Sequence, residues 1–144
     1  MHEWLLLSYK IPRQPTTPRV YVWRKLKKLA AILVFDAIWV LPYTSRSFEQ
    51  FQWLAAEIIE LGGKAHVWKS SAVLSGQEEA LIQQFTQQTD SAYEEIWNAI
   101  QLKDADLNVL SRKYQQIMQH DHFQSIIGKK VREALLASRG GDDR

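Results

Sequence analysis

Residues 31–43 read AILVFDAIWVLPY, a run dense in β-branched and aromatic side chains. Such groups lose rotamer freedom in a helix and pack well on a pleated surface, so the segment predicts strand. It is long for a single strand, which typically runs about 5–6 residues. The apolar run is interrupted at Asp36–Ala37, so it reads as two strands joined there by a tight bend or bulge.

Upstream, WLLLSYKI (4–11) is short, apolar and aromatic, the pattern of a buried strand. PRQPTTP (12–18) is a proline-rich stiff loop, with Thr17 placed to cap a helix and Pro18 at its first position. That helix, about residues 18–30, carries Val22, Leu26 and Leu29 on one stripe and Arg24, Lys27 and Lys28 on the opposite face. Downstream, Ser45 or Ser47 starts a second helix, with Ser47-x-x-Gln50 as a capping box. Its buried stripe is Phe51, Leu54, Ile58 and Leu61, and Gly62-Gly63 ends it. KAHVWKS (64–70) returns to strand character. The order β-α-β-β-α-β predicts an α+β fold with a ferredoxin-like core over residues 1–72.

Residues 73–144 predict a helical extension packed on that core within a single structural domain. Ser75-x-x-Glu78 is a capping-box pattern opening a helix over 76–101, or two helices broken near Thr89-Asp90. Helices over 106–119 and 125–138 follow, and GGDDR reads as a frayed tail. Both faces of the sheet carry large side chains: Leu5, Leu7, Tyr9 and Ile11 on one, Trp4 and Leu6 on the other. Two helices cover only one face, so the other is expected to meet the C-terminal helices and a second copy of the chain, making a homodimer.

Composition removes several classes. The chain of 144 residues has no cysteine, which excludes a disulfide scaffold, a thiolate zinc site and a cysteine nucleophile. With 46% hydrophobic residues it can bury a core. Its start, MHEWLLLSYK, is too short and too acidic for an export signal. The longest apolar stretch falls below the roughly 18 residues of a membrane span, so a soluble cytoplasmic protein is expected.

The formal net charge of +2 hides an asymmetry. Within the first 28 residues seven cations, Lys10, Arg13, Arg19, Arg24, Lys25, Lys27 and Lys28, face a single acid, Glu3. Arg13, Arg24, Lys27 and Lys28 are the candidate phosphate contacts, each able to displace a counterion from a nucleic-acid backbone. A solvated helix face is the plainer reading of the same pattern. Arg19 falls on the side of Val22 and Leu26, so it points toward the sheet and needs an anionic partner. A structural ion pair with Glu3 or Asp36 is the first expectation, and oxyanion binding the second. His120 and His122 are two apart and point in different directions on a helix, so no metal site is expected. There is no glycine-rich phosphate loop and no nucleophile elbow, and no enzymatic activity or resident cofactor is expected.

The run Pro18-Arg19-Val20-Tyr21-Val22-Trp23-Arg24-Lys25-Leu26 and the segment Glu49–Gly63 closely resemble the N-terminal domain of ChrB, the regulatory family of bacterial chromate-resistance operons. Tyr114 and Asp121-His122-Phe123 also look like the family's C-terminal helices. The resemblance implies a transcriptional regulator that binds the promoter DNA of a chromate-efflux operon and responds to chromate. Chromate is a tetrahedral dianion, which arginine and lysine clusters bind. The alternatives are an accessory oxyanion-binding or chromate-handling protein, with polar groups converging around Arg19, Asp36 and His66, and a structural dimerisation module. A more distant likeness is to the small ferredoxin-like CRISPR nucleases and the central domain of PaaX-type repressors. In such nucleases the first strand ends in Tyr-Asp, the Asp being a metal ligand. Here Tyr9-Lys10 stands in that place, and a lysine cannot hold Mg²⁺, which points to binding rather than cleavage.

Overall fold

The computed structural model describes residues 2–103 and 106–142. The chain forms two compact units, Met1–Glu78 and Glu79–Arg144. Among the described residues it is an α+β protein with one four-stranded antiparallel sheet and five helices. None of these helices is long and apolar enough to cross a membrane.

The first unit runs β1 (Trp4–Lys10), α1 (Thr17–Lys28), β2 (Ile32–Val34), β3 (Ile38–Pro42), α2 (Ser45–Glu60) and β4 (Lys64–Ser70). The strands lie in the order β2-β3-β1-β4. Opposite residues on antiparallel neighbours share a face, so the registers Leu5↔Leu41, Leu7↔Trp39 and Leu7↔Val67 put these side chains together. Leu5, Leu7 and Leu41 meet Val22 and Leu26 of α1 and Phe51, Leu54 and Ile58 of α2, all at most 2% exposed. Each large apolar side chain buried this way contributes about 1.5–3 kcal/mol. The sheet's other face carries Trp4, Val40 and Pro42, all buried, and the exposed His66 and Trp68, whose rings stack at 6.0 Å.

The bend in the decisive segment is a four-residue turn, Val34–Ala37, closed by the Ala37 N–H donating to the Val34 carbonyl at 3.2 Å. Its central residues, Phe35 and Asp36, both sit in the left-handed region at φ 52° and 60°. Positive φ at both central positions matches the right-handed twist of the flanking strands.

Several helix ends differ from the sequence expectation. Thr16, not Thr17, is the cap of α1, and its side chain makes no capping bond. It already has helical φ and ψ, so its hydroxyl is not aimed at the first free N–H groups. The box on α2 is Thr44-x-x-Ser47: the Thr44 hydroxyl accepts from the Ser47 N–H at 2.9 Å, and the Ser47 hydroxyl accepts from the Thr44 N–H at 2.8 Å. Ser47 therefore serves where a longer Glu or Gln is usual. It also donates to the Pro42 carbonyl at 2.7 Å, tying the helix to β3. Leu61 follows the last turn of α2 and is exposed, unlike Phe51, Leu54 and Ile58.

The second helix ends as the glycine pair predicts. Gly62 at φ 88° takes the left-handed position, and the Gly62 and Gly63 N–H groups donate back to the Ile59 and Ile58 carbonyls at 3.0 and 2.9 Å. A β-carbon at Gly63 would stand 2.5 Å from the Lys10 carbonyl oxygen and 2.9 Å from Ile11 and Ile58.

The helix α3 (Ser75–Leu102) is continuous, and the hydroxyl of Thr89 donates to the Phe85 carbonyl at 2.9 Å without breaking it. Ser75 is its first residue rather than its cap. Glu78 instead accepts from the His2 N–H at 2.8 Å and the Trp4 indole at 3.4 Å. The backbone bond from His2 holds the Glu78 carboxyl below its usual range.

The second unit is completed by α4 (Leu107–Met118), capped by Asp106, and α5 (Ile126–Asp142). The tail expected from Gly140 onward is helical as far as Asp142, while Asp143 and Arg144 lie outside the described residues. Tyr93, Ile96, Leu110, Val131 and Leu135 form the core of this unit. Gly128 lies flat on the Tyr93 ring. The Tyr93 hydroxyl donates to Asp121 at 3.1 Å, and Asp121 accepts the Ser125 N–H at 3.0 Å. The Ser125 hydroxyl bonds Asp90 and receives the Gly128 N–H at 3.1 Å. Burial and the neighbouring Asp121 push the Tyr93 phenol well up.

Replacing Gly63 by Ala is expected to lower stability by about 1–3 kcal/mol, read from the urea midpoint, because the intruding methyl meets backbone. A pH effect resides in the second unit. Burial, helped by the charge of His120 and opposed by Asp121, holds His122 below its ordinary value of 6.5. The unfolded chain therefore takes up this proton first, and stability falls as pH drops from about 6.5 toward the lowered folded value. Unfolding midpoints at successive pH values should show this loss, and His122→Gln should flatten it.

Candidate functional site

A concavity of the first unit opens between the N-terminal half of α1 and the end of the sheet, and has a volume of about 910 Å³. The end of β1 and the loop after it supply Tyr9, Lys10, Ile11, Pro12 and Arg13. The first residues of the helix segment supply Thr16, Arg19, Val20, Trp23 and Arg24, and the β2–β3 hairpin supplies Leu33, Asp36, Ala37 and Trp39. The helical set follows the three- and four-residue spacing that places side chains on one face. Val22 and Leu26, on another face of the helix, turn inward and are fully buried. One helix thus presents an apolar stripe to the core and a mixed cationic and aromatic stripe to the cleft.

Four cations, Lys10, Arg13, Arg19 and Arg24, share the cleft with one carboxylate, Asp36, for a formal +3. None of the four forms an ion pair among the described residues. Glu3, expected as a partner of Arg19, is 3.4 Å from Lys69 on β4 instead. Asp36 lines the cleft without pairing to Arg19. The anticipated ion pair is therefore not formed, because the N-terminal turn of α1 carries Arg19 past the edge of the core to an open site. Burial raises the Tyr9 phenol above its usual value, opposed by the hydrogen bond from Trp39 and, least, by the charge of Arg19. A cleft with a net positive lining raises the local concentration of anions. Guanidiniums without carboxylate partners keep planar donor pairs available for phosphate or another oxyanion.

The structure separates the residues anticipated from sequence. Arg13, Arg19 and Arg24 converge on the cleft. Lys27 and Lys28 lie outside it, and the Lys27 ammonium stands 5.5 Å over the Trp23 ring. Lys25 stands 5.6 Å over Tyr21. His66, expected beside Arg19 and Asp36, lies instead against Trp68 on β4. The aromatic lining of Tyr9, Trp23 and Trp39 was not anticipated. Its signal was the interleaving of Trp23 with Arg19 and Arg24 at helical spacing, which a count of charges alone passes over.

Residues 19–108 match the family model described as Protein ChrB, N-terminal. The chain belongs to that family. The match takes in the cleft's helical residues Arg19, Trp23 and Arg24 and the whole hairpin, while Tyr9, Lys10 and Arg13 precede it. No curated protein matches the chain, and no solved structure does.

Replacing Arg19 by Gln removes the charge that lowers the Tyr9 phenol, so that phenol is expected to titrate at still higher pH. Ring-carbon NMR shifts of labelled tyrosine, assigned with Tyr9→Phe, would read the displacement.

Proposed function

We propose that this member of the chromate-resistance family is a DNA-binding transcriptional regulator of a chromate-efflux operon. It acts without catalysis or a resident cofactor, as a cytoplasmic homodimer, with chromate as its effector. The ferredoxin-like class is the reading that fits the order β-α-β-β-α-β with strands arranged β2-β3-β1-β4. The observation that carries the functional proposal is the cleft's four cations with no ion-pair partner among the described residues. Such groups repel one another in the free protein and gain when an anion enters between them. A phosphate backbone meets this need, with Arg13, Arg19 and Arg24 on the strand nearest the cleft and Lys27 and Lys28 on phosphates beyond it.

A second reading, an accessory oxyanion-binding protein, is favoured by the concavity of the site: a small tetrahedral dianion fits between Arg13, Arg19 and Arg24. The two separate cleanly. With DNA from upstream of the operon, fluorescence anisotropy at several salt concentrations should show binding that weakens as salt rises. Arg19→Ala/Arg24→Ala should weaken it and lower the log–log salt slope by about 2, roughly 1 for each lost phosphate contact. An unchanged slope in the double variant would remove the cleft from the interface. A parent protein that ignores DNA, yet shows a chromate-dependent thermal shift lost in Arg19→Ala, would establish the second reading.

A further inference from the structure

Two exposed aromatic rings belong to the elements that build the cationic cleft, Trp23 in its lining and Phe35 next in sequence to it. Phe35, at the tip of the β2–β3 hairpin, is 95% exposed, beside the cleft residues Asp36 and Ala37. Trp23, on the helical wall, is 50% exposed. The position of Phe35 is unfavourable twice over. Its ring stands in water, and its backbone at φ 52° is a conformation that bulky L-residues rarely adopt. Asn-Gly would make the same turn with less strain and no exposed ring. Among the described residues of the first unit, none covers this ring.

We propose that the cleft receives an unpaired DNA strand, with one base stacked on Trp23 and a neighbouring base on Phe35. This rests on the DNA-binding reading and specifies the form of DNA that the site takes. Rings interleaved with guanidiniums suit a ligand that is both planar and anionic, repeating along its length. A paired duplex hides the faces of its bases in its own stack and offers only its edges and phosphates. The cations here lie inside a concavity, where one strand fits more readily than a double helix. Asp36, the single carboxylate of the lining, accepts hydrogen bonds and so matches the amino edge of a base rather than a phosphate. On promoter DNA the site would therefore engage an opened or extruded stretch, while Lys28 outside the cleft meets flanking phosphates.

The test compares the full chain on a labelled oligodeoxycytidylate of about twelve nucleotides, within the usual site sizes and with an amino group on each base, and on a duplex of equal length. The single strand is expected to bind about tenfold tighter. Phe35→Ala and Trp23→Ala should each weaken strand binding by roughly 5- to 100-fold, and Phe35→Tyr should retain the parent value. Unaltered thermal melting would separate these losses from misfolding. Tighter binding to the duplex, or strand affinity untouched by both alanine variants, overturns this proposal and leaves the DNA-binding reading standing. Failure to bind either DNA overturns both.

Discussion

The absence of a side chain at Gly63 is the constraint on which the first unit depends. The end of α2 lies so close to the end of β1 that a β-carbon there would press on the Lys10 carbonyl. With glycine in place, β4 can leave the helix and pair along the whole of β1, from Lys10↔Lys64 to Trp4↔Ser70. That pairing makes β1 a central strand, with partners on both sides. Beyond Leu7 the strand keeps β4 alone, and the pairs Tyr9↔Ala65 and Lys10↔Lys64 hold the floor of the cleft in place. The glycine that ends α2 thus helps to set the place of the cleft residues Lys10 and Ile11 beside it.

The cleft arises because α1 is asked to do two things at once. Its burial stripe is short, with only Val22 and Leu26 wholly enclosed, and the turn before them projects past the core. Any residue there must live at the boundary between protein and water. Arginine and tryptophan tolerate that boundary better than most, since each combines a sizeable apolar body with a polar group. Their presence at Arg19, Trp23 and Arg24 is therefore compatible with the fold at little cost in stability. The accumulation of like charge is another matter: no carboxylate pairs with any of the four cations among the described residues. Packing gives no reason for that omission, and recognition of an anion gives one.

The sequence disclosed much of this. The strand pair in 31–43, the inward stripes of α1 and α2 and the glycine pair ending α2 were legible because hydrophobic period and backbone permissiveness are local properties. The hairpin turn was placed within a residue, yet its conformation was hidden: Phe-Asp is not the pair that positive φ at two successive positions normally selects. The box at Thr44–Ser47 was missed for a similar reason, a short serine doing the work of a longer acceptor. In the site, charge was visible and partnership was not. Arg19 could be placed on the sheet side from helical spacing alone, but Glu3 had an alternative in Lys69, sixty-six positions along the chain and brought near by the pairing of β4 with β1. The aromatic lining drew on three separate elements, so no single window of sequence contained it.

The shared serine of the second unit has a consequence for cooperativity. The Ser125 hydroxyl caps the first turn of α5 through the Gly128 N–H, and that same hydroxyl is held by Asp90, thirty-five residues earlier on α3. Asp121, which fixes the Ser125 backbone, is itself held by Tyr93, also on α3. The opening sequence Ile126-Ile127-Gly128 is poor at starting a helix, and nucleation is the costly step. The initiation signal of α5 is therefore assembled on the surface of α3. Local unfolding of α3 around Asp90 and Tyr93 would release the start of α5 with it, which couples the opening of one helix to that of the other.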